Sequence, residues 1–286
     1  MIAYFRDEDG WGLGCHVAAL NKGYDTCLFD DDESLALCPS DSILFVRMSH
    51  KEVYRWRYKQ RIEAWSRIHP SVPGRYLAKL YDDKISQQEA LGKWMPTAFI
   101  IKNEQDAYTA LRTLKVPFVS KTSAGAGSKG VRLVTNSEEA IKDVQTRTKE
   151  AGALVWQVFC DGNKHDYRCL VVGNERLWIK RINRENSPFA SGSGNVVPMT
   201  HKDVPAKMMA FVEAFVEQAK KEGGCLHDSF MPLLGIDLIY MNGEPVLTEI
   251  TTSWTLPGYF KSEWLDGRKG YAFFDVVAEQ MEAARG

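Results

Sequence analysis

Apolar and polar positions change period several times along the chain, and each change marks an element. Residues 1–5 form an almost unbroken apolar run, which predicts a buried strand, and Gly12 to Lys22 predicts a helix closed by Gly23. Strands over Tyr24 to Phe29 and Ser42 to Met48 complete a β-α-β pattern with short links, as in a small α/β domain. A helix over Lys51 to Ile68 follows, with Val53, Trp56, Ile62, Trp65 and Ile68 on its inward side. The stretch His69 to Gly74, with two prolines and a glycine, interrupts the pattern and predicts a domain boundary near residue 75.

Beyond it, period-two or fully apolar runs predict strands at 97–101, 116–121, 131–134, 153–159, 167–172 and 176–181. Helices are expected at 85–91, 104–114 and 137–151. Residues 183–198, punctuated by glycine and serine, read as a loop. A long amphipathic helix over 203–222 carries Ala206, Met209, Ala210, Val212, Phe215 and Val216 on one side. Strands 233–240 and 244–250 flank Asn242-Gly243, a strong hairpin signal, and a last helix covers 271–284. Strands and helices intermixed in this way predict a mixed α/β (α+β) fold, divided as 1–75 and 76–286.

Composition narrows the class. Over 286 residues the net charge is −1, so no global field favours nucleic acid or a membrane surface. The charge is uneven along the chain, acidic over 25–41 and basic over 47–79. The basic helix offers an Arg and Lys face as a platform for an acidic or RNA partner, although inward packing of its aromatic side is the plainer reading. Six scattered cysteines without a Cys-x-x-Cys pair predict reduced thiols rather than a disulfide framework or a zinc site. No run approaches the ~20 apolar residues that span a bilayer, and no signal-peptide pattern opens the chain. A soluble cytoplasmic protein is expected.

Two features carry candidate chemistry. The loop Lys121-Thr-Ser-Ala-Gly-Ala-Gly-Ser-Lys-Gly130 joins two strands and is rich in small residues. Such loops bring backbone N–H groups close to phosphate oxygens, and Lys121 is placed to neutralise them, though a flexible hairpin fits the same composition. It is not a P-loop, because Val131 follows Gly130. Asp237 and Glu249 sit on consecutive strands inside apolar runs, where an unpaired charge is costly. Pairing about the Asn242-Gly243 turn brings the two carboxylates together as hard oxygen ligands suited to Mg²⁺. The glycines of Gly10-Trp-Gly-Leu-Gly14 lack the dinucleotide-binding spacing and read as a tight strand-to-helix turn. His165 beside Asp166 has no partner at a diagnostic spacing.

The order of these signals resembles the ATP-grasp superfamily. Asp83-Lys84, Pro117-Phe-Val-Ser-Lys121 with its loop, Val155-Trp-Gln-Val-Phe159, Asp166-Tyr-Arg-Cys-Leu-Val-Val-Gly173, Gly235-Ile-Asp237 and Leu247-Thr-Glu249 carry the likeness over about residues 80–260. Within the superfamily they are most similar to RimK-type ribosomal-protein glutamate ligases, with an echo of bacterial glutathione synthetase. The resemblance implies two α/β subdomains clasping ATP, behind a small α/β N-terminal domain. It implies a ligase that makes an acyl phosphate from a small-molecule or peptide carboxylate and couples it to an amine. A kinase lacking the amine step, or a non-catalytic nucleotide-binding module, is the alternative.

By the same resemblance Lys84, Lys121, Gly125, Gly127, Ser128 and Gly130 would face the ATP phosphates. Gln157, Val158 and Phe159 would meet adenine, and Asp166 the ribose. Arg168, Arg181 and Arg184 would serve the reacting phosphoryl group. Asp237, Glu249 and Thr251 would hold two Mg²⁺ ions, with Mn²⁺ as a substitute. Thr251 stands where the family has Asn, and Phe189-Ala-Ser-Gly-Ser-Gly-Asn195 replaces a loop carrying Arg and Asn. No membrane or nucleic-acid partner is implied, and a homo-oligomer is compatible with the reading.

Overall fold

The computed structural model describes residues 1–8, 10–47, 52–125, 130–160, 164–183, 195–252 and 272–286, the side chains of 52–56, 195 and 272 excepted. The chain opens with β1 (Ile2–Phe5), α1 (Trp11–Asn21), β2 (Thr26–Phe29), α2 (Asp32–Leu35), β3 (Ile43–Phe45), α3 (Glu52–Trp65) and β4 (Ser71–Val72). These strands form a parallel sheet in the order β2-β1-β3-β4. A parallel strand covered on both faces is apolar throughout, which is why all four residues of β1 are buried. The close seating of α1 explains its glycines. A Cβ on Gly12 would lie 1.7 Å from the Phe5 carbonyl oxygen, and one on Gly14 would lie 2.7 Å from the Phe274 ring. The glycine-rich turn is therefore a packing device, as its spacing suggested.

Three expectations for this part need correction. The interrupted stretch 69–74 contains β4, which pairs with β3 through Leu44 and Phe45. Edge strands tolerate proline where interior ones do not, so the prolines mask a short strand. Ile68 is 74% exposed, because α3 stops at Trp65 and Ile68 falls beyond the helix. The short helix α2, capped by Asp31, was not anticipated. Ile62 and Trp65 are buried as expected, while the side chains of Val53 and Trp56 lie outside the described residues.

A second group comprises α4 (Arg75–Leu80), α5 (Lys84–Leu91), β5 (Ala98–Ile101), α6 (Glu104–Leu111), β6 (Phe118–Thr122), β7 (Val131–Val134), α7 (Ser137–Ala151) and β8 (Leu154–Val158). Its antiparallel sheet runs β5-β8-β6-β7, and α6 and α7 lie on it over a core of Phe118, Leu154, Trp156, Ala107 and Val144. Asn103 and Asn136 cap the two helices by accepting a backbone N–H, each worth about 1 kcal/mol.

The third group holds β9 (His165–Val172), β10 (Glu175–Ile182), β11 (Asn195–Met199), α8 (Ala206–Lys220), β12 (Leu233–Met241), β13 (Glu244–Thr251) and α9 (Ala272–Arg285). The strands make one antiparallel sheet in the order β11-β10-β9-β12-β13. Here the expected loop 183–198 is corrected, since Asn195 to Met199 pairs with β10. On one face Tyr167, Cys169, Val171, Leu234, Ile236 and Leu238 pack against Met208, Val212, Phe215 and Val216 of α8. Ala206 and Ala210, expected inside, are exposed; Met208 and Ala219 complete the buried stripe instead. On the other face Leu170, Val172, Leu177 and Leu233 join Ile2, Tyr4, Phe273 and Val277 in a core shared with β1 and α9.

Candidate active site

Period-two alternation decides which side chains share a face. Arg168 pairs with Asp237 across β9 and β12, Asp166 pairs with Arg181 across β9 and β10, and Asp237 pairs with Glu249 across β12 and β13. All five therefore project from the face that carries Leu170 and Leu233 further along. Thr251, opposite Gly235, is on it too. The Asp237–Glu249 pairing depends on a bulge. Leu238 opposes Leu247 but Asp237 opposes Glu249, so Thr248 is an extra residue on β13. Without it Thr248 would oppose Asp237 and Glu249 would turn to the other face.

The charged groups form a chain of ion pairs. Arg168 donates from Nε and Nη2 to the two oxygens of Asp237, at 2.5 and 2.7 Å. Arg181 donates from Nε and Nη2 to Asp166, both at 2.6 Å, and its Nη2 also lies 2.8 Å from Asp237. Burial acts to raise the Asp237 pKa, but the two guanidiniums outweigh it and hold the carboxyl well below the usual range. For Asp166 burial wins over Arg181, and its pKa is pushed up to about 6. Asp166, expected at a ribose, is thus taken up by Arg181.

Lysines face this chain from the second group. Lys84 is the first residue of α5, whose N-cap Asp83 accepts from Ser86 N at 3.1 Å. The Lys84 ammonium donates to the Gly125 carbonyl at 2.9 Å and lies 3.6 Å from Glu249. Asp82 accepts from Gly125 N at 2.9 Å, and Asp83 from Ser123 Oγ at 2.8 Å. The two aspartates therefore clip the glycine-rich loop onto α5. Asp82 and Asp83 were missed as anchors, although an aspartate before a helix is a capping signal. The far end of the loop is held by Arg147, which donates to the Gly130 carbonyl at 2.5 Å and pairs with buried Asp143 at 3.0 Å.

Lys121 donates to the amide oxygen of Gln157 at 2.6 Å, so a neutral group receives this ammonium. Burial, helped by Lys84, pushes its pKa down to about 8 against the pull of Glu249 and Asp237. Gln157 is buried, and its side chain is turned to Lys121. The Val158 amide donates to the Thr97 carbonyl at 3.0 Å, and Phe159 follows directly at the strand end. Gly127, Ser128, Arg184 and the expected loop 189–194 lie outside the described residues. His165 contacts Tyr167 at 3.1 Å and takes no part in the cluster.

Among the described residues no group of three or more His, Cys, Asp or Glu forms a metal cage. Two adjacent carboxylates with the Thr251 hydroxyl on the same face nevertheless fit a divalent ion such as Mg²⁺, which takes most of its ligands from phosphate and water. No described helix is long and apolar enough to cross a membrane.

Residues 81–253 match the family model for the ATP-grasp domain. A comparison with curated proteins finds no match. Among solved structures, the chain is similar to a RimK domain ATP-grasp protein from Sphaerobacter thermophilus, at 16% identity and TM-score 0.65 over 98% of this chain and 99% of that one. It is similar to D-alanine–D-alanine ligase from Bacillus anthracis complexed with ATP, at 15% identity and TM-score 0.59 over 99% and 96%. A RiPP-associated ATP-grasp ligase from Chryseobacterium gregarium, in complex with ADP and a leader and core peptide, matches at 13% identity and TM-score 0.61 over 99% and 97%. At these identities the likeness establishes the fold, which agrees with the mixed α/β reading.

Proposed function

This chain belongs to the ATP-grasp family, and we propose that it is an ATP-dependent carboxylate–amine ligase acting on a small molecule or peptide. One observation carries the reading. Lys84 on α5, bonded to the Gly125 carbonyl of the glycine-rich loop, and Lys121 on β6, bonded to Gln157, stand beside the Asp237–Glu249 pair of the five-stranded sheet. Such an array suits a polyphosphate with a divalent cation, and Mg²⁺ held by Asp237 and Glu249 beside Thr251 would supply charge neutralisation there.

In this reading Lys84, Lys121 and the loop from Gly125 to Gly130, with Gly127 and Ser128, hold the ATP phosphates. The strand end at Val158 and Phe159 receives adenine, with Gln157 orienting Lys121. A substrate carboxylate oxygen attacks the γ-phosphorus and ADP departs, leaving an acyl phosphate. The amine nitrogen then attacks the acyl carbon and phosphate leaves. Arg168 and Arg181, fixed by Asp237 and Asp166, stabilise the negative charge that develops on the transferred group. Arg184 is the further cation we place near it.

ADP release with Mg²⁺-ATP, measured against pooled carboxylates and pooled amines, tests the proposal. The ligase requires both pools, and Lys121→Ala and Glu249→Ala each abolish turnover. Turnover with an acceptor but no amine would make it a kinase. Tight ATP binding without turnover on any pool would leave a nucleotide-binding module.

A further inference from the structure

Among the described residues β13 is the last strand of its sheet, so backbone groups on its outer side have no further strand to pair with. At Ile250, between Glu249 and Thr251, a side chain takes them instead. Gln87 of α5 accepts from Ile250 N through Oε1 at 3.0 Å and donates from Nε2 to the Ile250 carbonyl at 3.0 Å. A side-chain amide offers the donor and acceptor of a peptide unit, so Gln87 stands in for the missing strand at this position. The other amide hydrogen goes to the Leu80 carbonyl at 2.9 Å, at the end of α4. Gln87 is fully buried, where leaving any of these groups without a partner is costly.

The same face of α5 carries Lys84. Residues three apart on a helix are neighbours, and these two reach consecutive positions on β13. The Lys84 ammonium lies 3.6 Å from the Glu249 carboxylate, and the Gln87 amide holds the backbone of Ile250. The 3.6 Å separation is longer than the ~2.7–2.9 Å of a charge-assisted hydrogen bond. Cation and carboxylate therefore stand close without closing on each other, and a rigid tie one residue away resists that closure.

We propose that Gln87 is a positioning residue for the divalent-cation site. Its amide fixes Glu249 and Thr251 of the edge strand at a set distance from Lys84, so that carboxylate and hydroxyl are held for the metal and the ammonium for the phosphates. Fully buried and with its oxygen and both hydrogens engaged, Gln87 touches neither metal nor nucleotide and acts through Ile250, as the outer partners of metal ligands do. This role deepens the ligase reading and rests on it for what the site holds, while the contacts that define it belong to the chain alone.

Mn²⁺ titration of the full chain beside a non-hydrolysable ATP analogue, followed by electron paramagnetic resonance, is the test, with analogue affinity in the absence of divalent cation measured by calorimetry. Gln87→Met keeps the length of the side chain and removes its three hydrogen bonds. It should weaken Mn²⁺ binding by about tenfold or more, while metal-free analogue affinity falls no more than about twofold. Because that variant could fail to fold, Gln87→Glu, which keeps the shape and the acceptor for Ile250 N, provides the second arm, with a loss of about threefold or more for Mn²⁺. Leu170→Ala, destabilised in the covered part of the sheet, should keep its Mn²⁺ affinity. Unchanged Mn²⁺ affinity in the Gln87 variants, an equal fall in metal-free analogue affinity, or the same Mn²⁺ loss in Leu170→Ala would overturn the positioning role alone. Wild-type protein that binds neither the analogue nor Mn²⁺ beside it would instead remove the ligase reading.

Discussion

One face of the five-stranded sheet has two halves built by the same strands and the same alternation. Towards one end its residues are Leu170, Val172, Leu177 and Leu233, covered by β1 and α9. Towards the other they are Asp166, Arg168, Arg181, Asp237 and Glu249, facing Lys84. The same strands run through both, so the difference lies in the side chains they carry, in the bulge at Thr248 and in what covers each half. The apolar half gains from being removed from water. The charged half bears the desolvation of its ions, which is offset by ion pairing and is tolerable where a charged ligand uses it. Rigidity for the site thus comes from a neighbour along the same strands.

Breaking each half separately should give different signatures. Asp237→Ala leaves the buried Arg181 and the partly buried Arg168 guanidiniums without their shared carboxylate, a loss of about 3 kcal/mol of stability. It should also remove turnover, so chemical denaturation and ADP release fall together. Leu170→Ala, in the covered half, should lower stability by about 2–5 kcal/mol while the folded fraction keeps its nucleotide affinity. Equal loss of affinity and stability in that variant would show that the two halves are not separable. Gly14→Ala tests the covering helix. The added methyl meets the Phe274 ring and should cost about 1–3 kcal/mol, read as a lower thermal midpoint with little change in nucleotide binding.

The sequence makes the covered half easier to read than the charged one. Strand positions follow from period-two runs, and the Asn242-Gly243 turn sets Asp237 opposite its partner region. The bulge at Thr248 is what selects Glu249, and a bulge leaves no mark in hydrophobic alternation. Lys121 and the two carboxylates were legible because charges in apolar runs stand out. The engagement of Asp166 by Arg181 and of Gln157 by Lys121 was not, since each pairing depends on register and rotamer. Strands β4 and β11 were hidden because proline, glycine and serine also mark loops. Gln87 and Ile250 lie far apart in sequence, and only the seating of α5 against the edge strand β13 brings them together.

The smallest expected effect is a proton. The Lys121 pKa is pushed down to about 8 by burial and by Lys84, against an ordinary lysine value of about 10.4. A polyphosphate beside it favours the charged form, so the pKa should rise on nucleotide binding and the protein should take up protons above about pH 8. Affinity then falls as pH rises, by at most tenfold per unit for this one group. The stability of the empty protein responds with the opposite sign. A lysine whose folded pKa is lower than its unfolded value binds fewer protons when folded, so its contribution to stability increases as pH rises from about 8 towards its unfolded value. Calorimetry at pH 8.5 in buffers of different ionisation enthalpy measures the uptake directly, and Lys121→Met should remove it together with the pH dependence of affinity. Uptake that persists in Lys121→Met would place the titrating group elsewhere and detach Lys121 from the phosphates, even if the variant binds nucleotide weakly.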